Sequence, residues 1–184
     1  KTLLALAAGL DAVVEKDSHK RLIISRPIVA MGKDIGFLPG TVEEKLIPRM
    51  AAIEDNLEYL FSVRDKNSEA RGRGRLMDLM EDGIIELEPL SYIRGRSIPN
   101  QFIIVYEAQN LTPLELKTIL TRVGKGSKIV LTGDPNQIDH PYLDSRSNGL
   151  SFVVERFKGI PFFAHVTLSK GERSELAETA ANLL

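Results

Sequence analysis

Cysteine is absent from the 184 residues, which excludes a disulfide framework and any thiolate-held metal. Tryptophan is absent too, and aromatics are limited to 7 Phe and 4 Tyr. Several of these sit in apolar runs, so few are left to stack on nucleic-acid bases. No apolar run nears the roughly 18 residues that a bilayer-spanning helix takes. The apolar opening, KTLLALAAGL, lacks a basic lead-in and a small-residue cleavage site. A cytoplasmic protein with no membrane partner is the expected default. The histidines His19, His140 and His165 are scattered, and none stands at ligand spacing from another, so no zinc site is expected. Charge of either sign is not in excess: the formal net charge is -1, which argues neither for nor against a nucleic-acid partner. The chain opens on Lys1 rather than Met, and a piece of a longer polypeptide is expected.

What is present suits one globular domain over residues 1–184, since 43% of residues are hydrophobic and 27% charged. Its organising stretch is Gln101 to Asn110 (QFIIVYEAQN). Phe102 to Val105 are apolar without alternation, as in a strand whose sheet is covered on both faces. The run ends on Tyr106 and Glu107. Thr112-Pro113 then opens a helix, with Thr112 as cap and Pro113 at the first helical position. A second unit follows: the strand Lys128 to Leu131, ending in the polar turn Thr132 to Gln137 (TGDPNQ). An open α/β sheet places its chemistry at such strand ends.

Around these units the pattern alternates helix and strand. Thr2 to Val14 reads as a buried helix, Arg21 to Ser25 as a strand, and Arg26 to Gly40 as a long loop. A capping-box pattern, Thr41 to Glu44, opens a helix that runs to about Phe61, with a kink or break at Pro48. Ser62 to Arg75 (SVRDKNSEARGRGR) is polar, basic and glycine-spaced, and reads as a mobile surface loop. A short helix over Leu76 to Asp82, stopped by Gly83, precedes a strand over Ile84 to Leu87. Helices are expected over Gly149 to Phe157 and Glu172 to Leu184, and a strand over Phe162 to Leu168. The fold class is therefore α/β, three layers about a mainly parallel sheet.

Lys1-Thr2, followed by an Ala/Leu-rich helix, fits the last two positions of a phosphate-binding loop, G-x-x-x-x-G-K-[ST]. There the Lys reaches the β- and γ-phosphates and the Thr hydroxyl binds Mg²⁺. Alone, the dipeptide reads as an ordinary chain start, because the glycines of such a loop are not in the sequence. Glu107 fits a general base for water, or a surface Glu opening a loop. The Gln137 amide fits a sensor beside a terminal phosphate, or an idle Gly-Asp-Pro turn. All three stand in the order one nucleotide site requires.

The stretches FIIVYEAQNLTPLELKTILTRVG, KIVLTGDPNQIDHPYLDSRSNGLSFVVERF and VTLSKGERSELAETAANLL resemble the PhoH-like ATPases, P-loop proteins related to the superfamily 1 helicase core. The likeness continues upstream through RPIVAMGKDIGFLPGTVEEKL and LEPLSYIRGRSIPNQ. It implies ATP and Mg²⁺ as ligands, with hydrolysis coupled to remodelling or unwinding of RNA. It implies Lys1 and Thr2 on the phosphates and metal, Glu107 on the attacking water and Gln137 on the γ-phosphate. Arg173, in KGERSEL, is the arginine it puts forward to stabilise charge on the transferred phosphate, a role contributing roughly 10³ to 10⁵ in rate in related nucleotidases. The other reading of Arg173 is a helix-start residue pairing with Glu172 or Glu175. A homo-oligomeric ring, in which a neighbour supplies such an arginine, is compatible with the resemblance.

Two departures qualify the likeness. Tyr106 stands where the family has an Asp that holds a water on Mg²⁺, and a phenol with an ordinary pKa of about 10 gives the metal shell no anion at neutral pH. Slower hydrolysis is expected, and a hydrolysis-impaired nucleotide-binding or assembly module is the alternative reading. The glycine-rich half of the loop and its strand are not in the sequence. The sheet is expected to show a gap there, and these residues alone are expected to bind ATP poorly. Arg94 and Arg96, around Gly95, are candidates for sequence-independent contact with RNA phosphates, or else coat a solvated loop.

Overall fold

A computed structural model of the chain describes residues 1–27, 42–64, 69–93, 97–168 and 179. Four strands form one sheet: β1 (Leu22–Arg26), β2 (Ile85–Pro89), β3 (Phe102–Val105) and β4 (Lys128–Leu131). Their order is β2-β1-β3-β4 and every pairing is parallel, with Leu22 opposite both Ile85 and Phe102, and Phe102 opposite Lys128. All four residues of β3 are buried, as an unbroken apolar run at the centre of a covered sheet requires.

Each side of the sheet builds its own core. Alternate residues Leu22, Ile24, Phe102 and Ile104 meet α1 (Thr2–Leu10), α2 (Val42–Arg64) and α3 (Glu69–Glu81). The intervening Ile23, Ile103 and Val105 meet α4 (Leu90–Ile93), α5 (Pro113–Leu120) and α6 (Gly149–Phe157). This period-two split is what a strand's pleat dictates. Gly9 lets α1 approach closely, because a Cβ there would lie 2.7 Å from Leu22 Cδ1. The start of α5 carries the expected capping box: the Thr112 hydroxyl accepts from the Glu115 N–H at 3.2 Å, and the Glu115 carboxylate accepts from the Thr112 N–H at 2.9 Å. Among the described residues, β4 pairs on one side only, with β3. No helix among them is long and apolar enough to cross a membrane.

Three expectations are corrected. The surface loop over 62–75 is largely helical: Ser62 to Arg64 finish α2, and Glu69 to Arg75 begin α3. The glycine that suggests a loop is a packing device, since a Cβ on Gly72 would sit 3.0 Å from the Ser62 backbone nitrogen. Two of the arginines likewise engage α2. Arg73 pairs with Glu58 at 3.3 Å, and the Arg75 guanidinium lies 5.8 Å from the centre of the Phe61 ring. Second, Pro48 does not end α2, which continues to Arg64 and buries Met50, Ile53, Leu57 and Phe61. Burial of that face outweighs one missing backbone donor. Third, Phe162 to Leu168 is not a strand and is mostly exposed, pairing with none of the four strands. Most of the loop over 26–40 and nearly all of the helix over 172–184 lie outside those residues.

Candidate functional site

The carboxyl ends of β3 and β4 open onto a cavity of about 230 Å³. From β3 come Tyr106 and Glu107, and from the β4 exit come Thr132, Gly133, Asp134 and Gln137. Lys1 and Thr2, at the start of α1, complete the lining. Residues far apart in sequence meet here because parallel pairing puts both strand ends on one edge. A larger cavity, about 350 Å³, lies against α1 and α2 beside Leu10, Asp11, Leu60 and Phe61. It lacks converging donor groups, and Asp11 is already paired with Lys16 at 2.6 Å.

The exit of β3 is held in an unusual backbone shape. Glu107 has φ +58° and ψ +42°, the left-handed region that a non-glycine residue adopts at a cost. A single tight turn, Ala108–Asn110, follows, and the Ala108 N–H donates to the Thr132 carbonyl at 2.9 Å, tying the two strand exits together. Gln109 and Asn110 are buried polar residues whose side chains reach across to the β4 exit. Gln109 Nε2 donates to Glu107 Oε2 at 2.6 Å and to the Gln137 carbonyl at 2.7 Å, while its Oε1 accepts from the Asp134 N–H at 3.2 Å. Asn110 accepts from the Asp139 N–H at 2.8 Å.

Charge in the cavity is arranged around one ion pair. Lys1 Nζ lies 3.0 Å from Asp134 Oδ2. The Asp134 carboxylate also accepts from the Asn136 N–H at 3.1 Å, and the Gln137 N–H donates to the Asp134 carbonyl at 3.0 Å, so the turn is closed on itself. Tyr106 is half-buried. Burial first, and the adjacent Glu107 carboxylate second, push its phenol above the ordinary tyrosine value, against the opposing pull of Arg26 and Thr2. The Arg26 guanidinium carbon sits 5.4 Å from the ring centre, within cation–π range.

Two observations bear on whether these residues suit a metal-nucleotide ligand. The Thr132 hydroxyl is buried, lines the cavity and has no hydrogen-bond partner among the described residues, so an acceptor or donor is wanted there. Among the described residues no group of three or more His, Cys, Asp and Glu forms a metal cage.

Of the residues singled out from sequence, Lys1, Thr2, Glu107 and Gln137 line this cavity together. Arg94, Arg96 and Arg173 lie outside the described residues. Sequence reasoning passed over Gln109, Thr132 and Arg26. Arg26 carried a readable signal, an ionisable residue ending an apolar strand, the same signal that pointed to Glu107. Gln109 carried none, since nothing in a local pattern marks a polar residue for burial.

Comparison with known proteins follows the same lines. A family described as PhoH-like protein matches residues 1–183. Protein PhoH2 of Bacillus subtilis is 60% identical across 100% of this chain, and the chain covers 40% of it. Protein PhoH2 of Mycolicibacterium smegmatis is 41% identical with the same coverage. The PhoH-like protein of Bacillus subtilis is 39% identical over 92% of this chain and 49% of its own length. The chain thus spans less than half of each of these relatives.

Proposed function

This chain belongs to the PhoH-like protein family, and on that premise we propose that it binds ATP with Mg²⁺, hydrolyses it, and couples the reaction to remodelling or unwinding of RNA. The observation that carries the reading is the cavity: a cation, two threonine hydroxyls, two carboxylates and a primary amide from three separate segments line it. Lys1 supplies the positive charge for the β- and γ-phosphates, and the Thr2 hydroxyl and Asp134 carboxylate are the oxygens nearest to hand for the metal. Bound Mg²⁺ would neutralise phosphate charge as the terminal group leaves. Glu107 accepts the proton of the attacking water, a contribution of about 10² to 10⁴ in rate for a positioned base. Gln137 orients that water or senses the γ-phosphate. Arg173 remains a proposal for the charge-stabilising arginine, in the same subunit or from a neighbour in a ring. Arg94 and Arg96 remain proposals for RNA contact, and the RNA part of the reading rests on the resemblance.

Tyr106 favours a second reading, a nucleotide-binding module with slow or no turnover. A neutral phenol, with its ionisation pushed further out of reach, gives the metal shell no charge. The test is ATP turnover by the full-length polypeptide with and without RNA, for the natural sequence and for Tyr106→Asp and Glu107→Gln. The first reading expects Mg²⁺-dependent turnover that Glu107→Gln lowers about 100-fold or more while ATP binding persists. The second expects binding without turnover, and turnover gained in Tyr106→Asp. Absence of ATP binding in the full-length polypeptide ends both.

A further inference from the structure

We infer that Gln109 is a positioning residue that holds the Glu107 carboxylate and the 134–137 turn in one rigid frame, so that base and sensor are set by a single buried amide. The inference rests on the proposed hydrolysis for its kinetic consequence and on geometry alone for its structural one.

Gln109 has no exposed surface, yet every polar group of its side chain is engaged within the site. Its two N–H groups go to Glu107 Oε2 and to the Gln137 carbonyl, at 2.6 and 2.7 Å. Its carbonyl takes the Asp134 N–H at 3.2 Å. These three bonds fix the orientation of the amide. Turned over, it would set its oxygen against a carboxylate and a carbonyl, and its N–H₂ against an N–H. The partners belong to two different strand exits, 25 and 28 residues away for the turn and two away for Glu107. A buried amide with fully used donors is worth more to geometry than to affinity, because a shift of either strand exit breaks a bond that no water replaces.

The surrounding sequence makes room for this amide. Gly133 lies directly against it, and a Cβ at that position would stand 2.5 Å from Gln109 Oε1 and 2.8 Å from Leu150 Cδ2. The glycine of the GDPNQ turn is therefore where the turn accommodates Gln109. The left-handed conformation of Glu107 is sustained by what holds its neighbours in place: the Ala108 N–H bond to Thr132 on the backbone side and the Gln109 bond on the side-chain side. Gln109 touches neither water nor nucleotide in this scheme. It acts through Glu107 and the Gln137 turn.

The test uses the full-length polypeptide carrying Gln109→Met, which keeps the side chain's length and removes its donors and acceptor, and separately Gly133→Ala, which presses on the amide from the other side. Backbone amide exchange of residues 134–139 is compared with that of α5, alongside ATP affinity and turnover. Ile119→Val, on the buried face of α5, serves as a destabilising control away from the site. The expected result is exchange at Asp134 and its turn at least 10-fold faster in both site variants, unchanged protection of α5, kcat reduced 10-fold or more, and ATP affinity within about 3-fold. Unaltered exchange of the turn in folded Gln109→Met overturns the inference, whatever the enzyme does. So does a loosened turn with kcat unchanged in a polypeptide that hydrolyses ATP. If the natural protein binds ATP without turnover, the hydrolytic reading fails by itself, and the exchange comparison still decides whether Gln109 makes the frame. Were Gln109→Met not to fold, Gly133→Ala gives the same exchange readout with the glutamine in place.

Discussion

Replacing Asp134 by Asn removes the anion that occupies Lys1 and leaves the shape of the turn, since Asn keeps an oxygen for the Asn136 N–H. The Lys1–Asp134 contact is 3.0 Å long, with side-chain exposures of 42% and 27%. Two unit charges at that distance attract by about 1 to 5 kcal/mol for effective dielectrics of about 80 to 20. Desolvation and side-chain ordering reduce the net worth of a pair this exposed to about 0.2–1 kcal/mol. A triphosphate that takes Lys1 must break the pair and then sit near the released carboxylate. At about 5 Å and a dielectric of about 80 to 40, that proximity adds about 1 to 2 kcal/mol of repulsion per phosphate charge. Without Mg²⁺, Asp134→Asn should therefore tighten ATP binding about 5- to 30-fold, a gain that shrinks as salt shortens the screening length. With Mg²⁺ the cation offsets the carboxylate, and the gain should fall to about 2-fold or reverse. Titrating ATP against natural and variant protein, in chelator and in Mg²⁺ at two salt concentrations, reads all four values. Weaker binding of the variant in chelator would refute the view that Asp134 competes with phosphate for Lys1.

Other outcomes follow from the same geometry. Thr112→Ala breaks the capping box of α5 and should cost about 1 kcal/mol, read as a lower urea midpoint at unchanged slope. Tyr106 has a raised folded pKa, so its contribution is intact below pH 10 and is lost as pH rises through the folded value. Absorbance titration should show a late-ionising phenol that vanishes in Tyr106→Phe. Gly72 and Gly74 should answer oppositely. Gly72→Leu collides with the α2 backbone and destabilises, whereas Gly74, with nothing within 4 Å of where a Cβ would stand, should gain about 0.5–1 kcal/mol as Ala. Thermal denaturation of the two variants separates these signs.

What could be read in advance was what short-range pattern encodes. The FIIV and KIVL runs both read as strands, the first of them fully covered, and Thr112-Pro113 with Glu115 writes out a helix start in four letters. Their parallel pairing then brought Glu107 and Gln137 to the cavity that Lys1 and Thr2 also line. The α2–α3 pair was hidden because RGRGR looks the same whether its glycine supplies freedom to a loop or a flat surface to a neighbouring helix. Only the Ser62 backbone, 3.0 Å away, distinguishes the two. Phe162 to Leu168 has a strand's composition, but composition alone does not dock a segment on the sheet, and this one pairs with none of the four strands. Within the site, the union of Lys1 with Asp134 and the burial of Gln109 are products of tertiary contact between segments more than 20 residues apart. No window of sequence contains both partners.

The twisted backbone at Glu107 sets security of folding against the presence of that carboxylate. A side chain held at φ +58° costs about 1–2 kcal/mol that glycine would not incur. Glycine at 107 would relieve that cost but leave the buried Gln109 N–H without the carboxylate that accepts it at 2.6 Å, a loss of about 1–3 kcal/mol. The two effects offset one another, so a library sorted only for heat resistance should show no enrichment of Glu107→Gly, and thermostabilisation campaigns on this scaffold should leave the position untouched.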